Sequence, residues 1–267
     1  MSATTLKPMS AVRRLVLLGG VLTALTAGAY VLPGGSILRR MTDTRDDQPL
    51  SALRVEGSYV FSGSAVREAM PALGLATERS ELVVDGLIQM KFPQRCRFDL
   101  SVPEGNKLAV VQVGGRRRVE GTELAVLSTA IGQLCPLMAV RSTSEGEAKE
   151  LVEQHLQGLG INTRSTSLAR FSGEVAYVLG EPEEGKPQFW VYKDNFRPAR
   201  VRWTDKAGTA WDVRLIDYAS AATGEVMPRS IEVWRAGERA VRFTAIKSDT
   251  RASIPDKLFV PEAASSK

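Results

Sequence analysis

The stretch "ELVVDGLIQMKFPQRCRFDLSV", residues 81–102, carries the strongest structural signal in the chain. Leu82, Val84, Ile88, Met90 and Phe92 share one parity, and Asp85, Gln89 and Lys91 take the other. After Pro93 the pattern restarts: Cys96, Phe98, Leu100 and Val102 alternate with Arg95, Arg97, Asp99 and Ser101. Period two marks strands with one face in a core and one in water. The next segments, "KLAVVQV" and "GGRRRVEG", read as a hairpin closed by a glycine turn.

Further strands lie on both sides of this block. "LRVEGSYVFSG" precedes it. From residue 164 onward, "EVAYVLG", "PQFWVYKD", "PARVRWTD", "AWDVRLIDYA", "RSIEVWRAG" and "RAVRFTAIKS" are separated by turn clusters. Short connections between consecutive strands favour an antiparallel meander of about nine or ten strands. Two helical patterns interrupt it. In "TELAVLSTAIGQLCPLM", Leu124, Leu127, Ile131, Leu134 and Met138 line one face, and Val126 and Ala130 widen it. Such a helix is expected to be deeply buried, with Pro136 kinking or ending it. "EGEAKELVEQHLQGLG" is amphipathic, with Leu151, Val152, Leu156 and Leu159 inward and a glycine stop. Residues 64–79, with Pro71 and Gly74, read as a loop with one helical turn, exposing Val66, Met70, Leu73 and Leu75 if it is truly a loop.

The formal charge of +5 is partly a tail effect. Lys7, Arg13 and Arg14 lie in the first 29 residues, which hold no acid, leaving +2 for the rest. That remainder mixes both signs and gives no footprint for nucleic acid. Arg13 and Arg14 precede an uncharged run from Leu15 to Leu32 with Ala27-Gly28-Ala29 near its end. This is an export signal, either cleaved or kept as an inner-membrane anchor. The expected organisation is a signal or anchor over 1–29, a linker over 30–52, polar from residue 36, one domain over 53–262 and a disordered tail over 263–267.

Catalytic patterns are sparse. "GEPEEGK", Gly180 to Lys186, mimics a phosphate-binding loop, but Pro187 stands where a magnesium-binding hydroxyl belongs and three glutamates would repel phosphate. It reads as an acidic turn between strands. His155 is the only histidine. It reads as a packing residue on the second helix rather than a base. No metal site, cofactor or enzyme is expected. Cys96 and Cys135, the only cysteines, either pair in an oxidising compartment or stay free.

Taken together, "GLIQMKFPQRCRFDLSVPEGNKLAVVQVGGRRRVEG" (86–121), "PQFWVYKDNFRPARVRW" (187–203) and "IPDKLFVP" (254–261) resemble, in order, segments of the outer-membrane lipoprotein carrier superfamily, the LolA/LolB-like fold. The resemblance implies a mainly β (α+β) architecture. A strongly curved antiparallel sheet forms an incomplete barrel, and two helices cover its concave side. It also implies a periplasmic carrier of lipoprotein acyl chains or other lipids, working with inner- or outer-membrane transport components; the alternative is a non-catalytic scaffold of an envelope complex. Three features depart from the family pattern. Phe92 replaces the arginine that precedes the proline, residues 36–52 replace the helix before the first strand, and the acceptor branch's anchoring cysteine is absent.

An apolar cavity would hold lipid by removing methylenes from water, at about 0.8 kcal/mol each. Its expected wall is Leu82, Val84, Ile88, Met90, Phe92, Phe98 and Leu100, lidded by Leu127, Ile131 and Leu134, with Trp203 and Trp211 at the mouth or in cross-strand packing. A Cys96–Cys135 bridge would tie lid to wall.

Overall fold

The computed structural model describes residues 31–260 apart from 77, 78, 104 and 145. The expected export signal over 1–29 and the tail over 263–267 lie outside the described residues. Twelve strands form one open antiparallel sheet: β1 (Ala52–Ser62), β2 (Glu81–Lys91), β3 (Arg95–Ser101), β4 (Leu108–Val113), β5 (Arg116–Glu120), β6 (Thr166–Phe171), β7 (Glu174–Leu179), β8 (Gln188–Tyr192), β9 (Pro198–Thr204), β10 (Ala210–Ile216), β11 (Ser230–Arg235) and β12 (Glu238–Asp249). The spatial order is β5-β4-β3-β2-β1-β12-β11-β10-β9-β8-β7-β6. Two meanders therefore meet where the last strand pairs with the first. The sheet stays unclosed because β5 and β6 are its edges.

The alternation read from residues 81–102 holds in three dimensions. Met90 pairs with Cys96, Ile88 with Phe98 and Gly86 with Leu100. The same inward row continues to Val55 and Tyr59 on β1 and to Phe243 on β12. Gly57 and Gly86 sit opposite each other in this row. Their missing side chains make room for two rings. A Cβ on Gly86 would lie 2.4 Å from Tyr59, and one on Gly57 2.6 Å from Phe243. The Tyr59 and Phe243 rings meet there, centroids 4.9 Å apart.

Among the described residues four α-helices accompany the sheet. Helix α3 (Ala125–Met138) is buried along most of its circumference and packs on β3, β4, β9 and β11, strands from both meanders. The sheet therefore curves around it, as an apolar helix requires. Pro136 does not stop α3 at once; the helix runs two residues further, to Met138. Helix α4 (Glu147–Gly158) buries Ala148, Val152 and Leu156 and is followed by Gly160 at φ 79°.

Two expectations need correction. Residues 30–52 are not simply a linker: Gly34–Asp46 form helix α1, which buries Ile37, Leu38 and Met41. These apolar residues, spaced one and three apart, form a narrow stripe that five charges on the same helix conceal in the sequence. Helix α1 begins against the residues after α4, because Gly34 lets its backbone pass so close that an added Cβ would lie 1.8 Å from the Thr163 carbonyl oxygen. Residues 64–79 are also more than one turn. Ser64–Ala72 form helix α2 against β1, β2 and β12, with Val66, Met70 and Leu73 buried. They are core, so the reading of an exposed apolar loop fails; Asn106 holds the helix end by bonding Ala72 O at 3.3 Å.

The closing segment straps the outer face. Ile254 and Phe259 pack on Ala52 and Val111, and Asp256 pairs with Lys91 and Arg95 at 2.6 Å each. The rest of the convex face is a ladder of charge and aromatics. Arg200 grips Asp212 through two bonds, at 2.8 and 2.6 Å, and Arg214 lies 4.0 Å over the Trp234 ring. Such pairs solubilise and align strands; they do not make a lipid-binding face.

Candidate functional site

The concave face divides into a packed interior, a small mouth and a polar cleft. In the interior, Ile88, Phe98, Leu127 and Leu134 converge, joined by Tyr59, Ala130, Ile231, Val233, Val241 and Phe243. The space they enclose is about 10 Å³. That is room for one water at most, against roughly 300–1,000 Å³ for ordinary ligand pockets. The vacant hollow expected beneath the lid is filled by the protein's own side chains.

The other expected wall residues separate. Leu82, Val84, Leu100 and Ile131 are buried elsewhere in the core. Trp203 and Trp211 stack across β9 and β10, centroids 6.4 Å apart, away from both apolar pockets. Trp211 Nε1 donates to Asp205 at 2.8 Å. Met90 and Phe92 line the mouth instead.

That mouth is a pocket of about 40 Å³ where the ends of α1 and α3 meet the β2–β3 turn and the β8–β9 turn. Its apolar wall includes Met41, Leu53, Met90 and Met138; its polar rim includes Arg45, Arg141 and Arg197. Residues 139–141, just past α3, are the hub. Ala139 O accepts from Gln94 N at 2.7 Å. Val140 O accepts from Arg45 NH1 at 3.1 Å, and Arg141 NH1 donates back to Arg45 O. Arg141 also lies 4.7 Å over the Phe92 ring. Burial, then repulsion from Arg141, lowers the Arg45 guanidinium to about 10.

On the far side of α3, Cys96 and Cys135 are bonded, tying β3 to the lid helix. The bond spans 39 residues of sequence. Beyond it lies the polar cleft, about 670 Å³, with Gln94, Gln112, Arg117, Gln133, Gln154 and His155 on its walls. His155 Nε2 lies 2.9 Å from Gln133 Oε1. Burial lowers the imidazole from 6.5 to about 4. The histidine is therefore neutral at pH 7 and is packed as a hydrogen-bonding partner of α3. No group of three or more metal-ligating side chains occurs among the described residues.

This histidine gives a pH prediction. The unfolded chain protonates near 6.5, whereas the folded chain resists until about 4. Stability is therefore fully present above pH 6.5 and falls as pH drops toward 4. Between pH 7 and 5 the loss is expected to be about 2 kcal/mol in urea unfolding. His155→Gln should flatten that segment; an unchanged slope in the variant would contradict the assignment.

Sequence reasoning missed Tyr59, Phe243, Met41, Arg45 and Arg141. Tyr59 was accessible from the parity of "LRVEGSYVF", and Phe243 from "RAVRFTAIKS". Arg45 and Arg141 carry no local signal, since only the fold brings them together.

Neither a protein-family model nor a curated protein matches the chain. Solved structures do. A LolA superfamily protein from Nitrosomonas europaea superposes with a TM-score of 0.50 at 16% identity, covering 86% of this chain and 98% of that one. A domain described as an outer membrane lipoprotein-sorting protein from Vibrio parahaemolyticus gives 0.42 at 11%, covering 85% and 95%. A DUF1329 family protein from Desulfovibrio piger gives 0.40 at 12%, covering 85% and 96%. Among the described residues no helix is long and apolar enough to cross a membrane. An open antiparallel sheet of twelve strands curved around a buried apolar helix, matched over nearly the whole length of the Nitrosomonas protein, gives this chain the LolA-like fold, in a divergent sequence.

Proposed function

We propose that this chain is an exported, non-catalytic binding protein that takes acyl chains of lipid or lipoprotein between α3 and the sheet by opening that interface. The observation that carries this reading is the composition of the lid–sheet interface. Large apolar side chains from five strands and α3 face one another there, and the interface reaches the surface at the methionine-lined mouth. A carrier with these volumes needs a moving lid. With about 10 and 40 Å³ present, a chain can bind only where α1 moves aside or the N-terminal part of α3 lifts from the sheet. The C-terminal part of α3 is held by the disulfide. A chain of a dozen methylenes leaving water would release about 10 kcal/mol, enough to offset the lost packing of a few side chains.

The filled interior favours a second reading, an envelope scaffold with the same fold and no ligand. Exposed large apolar residues among those described are single ones, Val83 on β2, Val113 on β4, Ile246 on β12 and Val260 near the terminus. They offer a partner protein little apolar area. Native mass spectrometry of the protein recovered from the cell envelope separates the two readings: co-purified acyl ligand supports the carrier, and a uniformly empty protein supports the scaffold.

A further inference from the structure

The arginines at the mouth are more than structural ties. The C-terminal ends of α1 and α3 converge there, and cations favour such ends. This accounts for one bond from each guanidinium, Arg45 NH1 to Val140 O and Arg141 NH1 to Arg45 O. It leaves Arg45 NH2 and both Nε and NH2 of Arg141 buried, without an acceptor among the described residues. Orphaned charged donors are costly to bury. Two guanidinium groups held side by side also repel each other, and the nearby carboxylates compensate weakly. Asp46 lies 4.0 Å from Arg141 NH1 and accepts from Ser142 N. Glu225, largely exposed, lies 3.7 Å from Arg197, which stacks 5.3 Å over Tyr218. The rim thus holds three cations against two peripheral anions.

We propose that this mouth binds the anionic headgroup, carboxylate or phosphate, of an acyl amphiphile, with Arg45 and Arg141 as its clamp. The proposal rests on the carrier reading and names its ligand class. The 40 Å³ already present suits a headgroup without its chain. Met41, Met90 and Met138 line the same pocket, and thioether side chains re-pack readily to admit one. An anion can take a guanidinium through two parallel bonds and neutralise its charge, which a single carbonyl oxygen cannot do. A headgroup bridging both arginines therefore competes with Val140 O and Arg45 O for them. These two bonds hold the end of α1 to residues 139–141, so headgroup capture loosens the lid where the chain must enter.

The test is calorimetric titration of the full chain with dodecanoate, dodecyl phosphate and dodecanol, all below their micellar concentrations. The expected result is an advantage of about tenfold for at least one anion over the alcohol, with the preferred anion identifying carboxylate or phosphate as the headgroup chemistry. Arg45→Gln and Arg141→Gln should bring that ratio toward one while dodecanol affinity persists. Equal binding of all three by the wild-type protein would overturn the clamp and leave the carrier reading standing. Anion selectivity that survives in both variants would also overturn it. Binding of none of the three would overturn the carrier reading and the clamp together. Should a variant melt far below the wild type, the wild-type ratio decides alone.

Discussion

Loss of the Cys96–Cys135 bond is expected to lower stability by about 4 kcal/mol, the loop-closure value for a bond spanning 39 residues. For a domain of this size that corresponds to a melting point lower by about 10 °C. Thermal melts of the wild type with and without reductant, beside a Cys96→Ser/Cys135→Ser variant, check it. Reduced wild type and variant should coincide. Alkylation should add two adducts only after reduction; alkylation of both thiols in untreated, folded protein would contradict the bridge. The consequence for function is directional. In the proposed carrier, with α3 fixed to β3 near its C-terminal end, lid movement would fall to α1 and the first turns of α3, and breaking the bond should loosen the lid at its second attachment.

Phe243→Ala should cost about 3–5 kcal/mol, the range for removing a buried aromatic ring. Phe243 is almost fully enclosed, in ring contact with Tyr59 and seated over the two facing glycines. The complementary change, Gly86→Ala, should cost about 1–3 kcal/mol by overpacking, because its new methyl would collide with the Tyr59 ring. Urea unfolding of both variants measures these effects. A loss below about 1 kcal/mol for Phe243→Ala would mean that the interior is loosely packed, contrary to the volumes found here.

These residues also mark where sequence reading stopped. Parity along residues 81–102 places Ile88, Phe98 and Cys96 on the inner face, and the steps of three and four in residues 124–138 place Leu127, Ile131 and Leu134 toward it. Local periodicity carries that much because it depends only on backbone geometry. Whether the faces leave space between them depends on summed side-chain volumes and on long-range register. Phe243 reaches Tyr59 only because β12 returns to pair with β1, about 180 residues from it in sequence. Helix α1 escaped notice for a different reason. Its buried stripe is only Ile37, Leu38 and Met41, and its charges at Arg39, Arg40, Asp43, Arg45 and Asp46 suit a polar linker equally well until α4 supplies something to pack against. Phe92 likewise gains a partner that only the fold supplies: Arg141 places its guanidinium on the Phe92 ring.

In the proposed carrier, the tightly filled space between α3 and the sheet opens to receive an acyl chain. Native mass spectrometry of the full chain, purified from its own cell envelope without detergent or organic solvent, tests it most directly. A population heavier than the apoprotein by the mass of a lipid or acylated peptide, released on collisional activation and shifted back by a lipid extraction, is the predicted result. A single species at the apoprotein mass, unchanged after incubation with acyl ligands of each headgroup class, would contradict it.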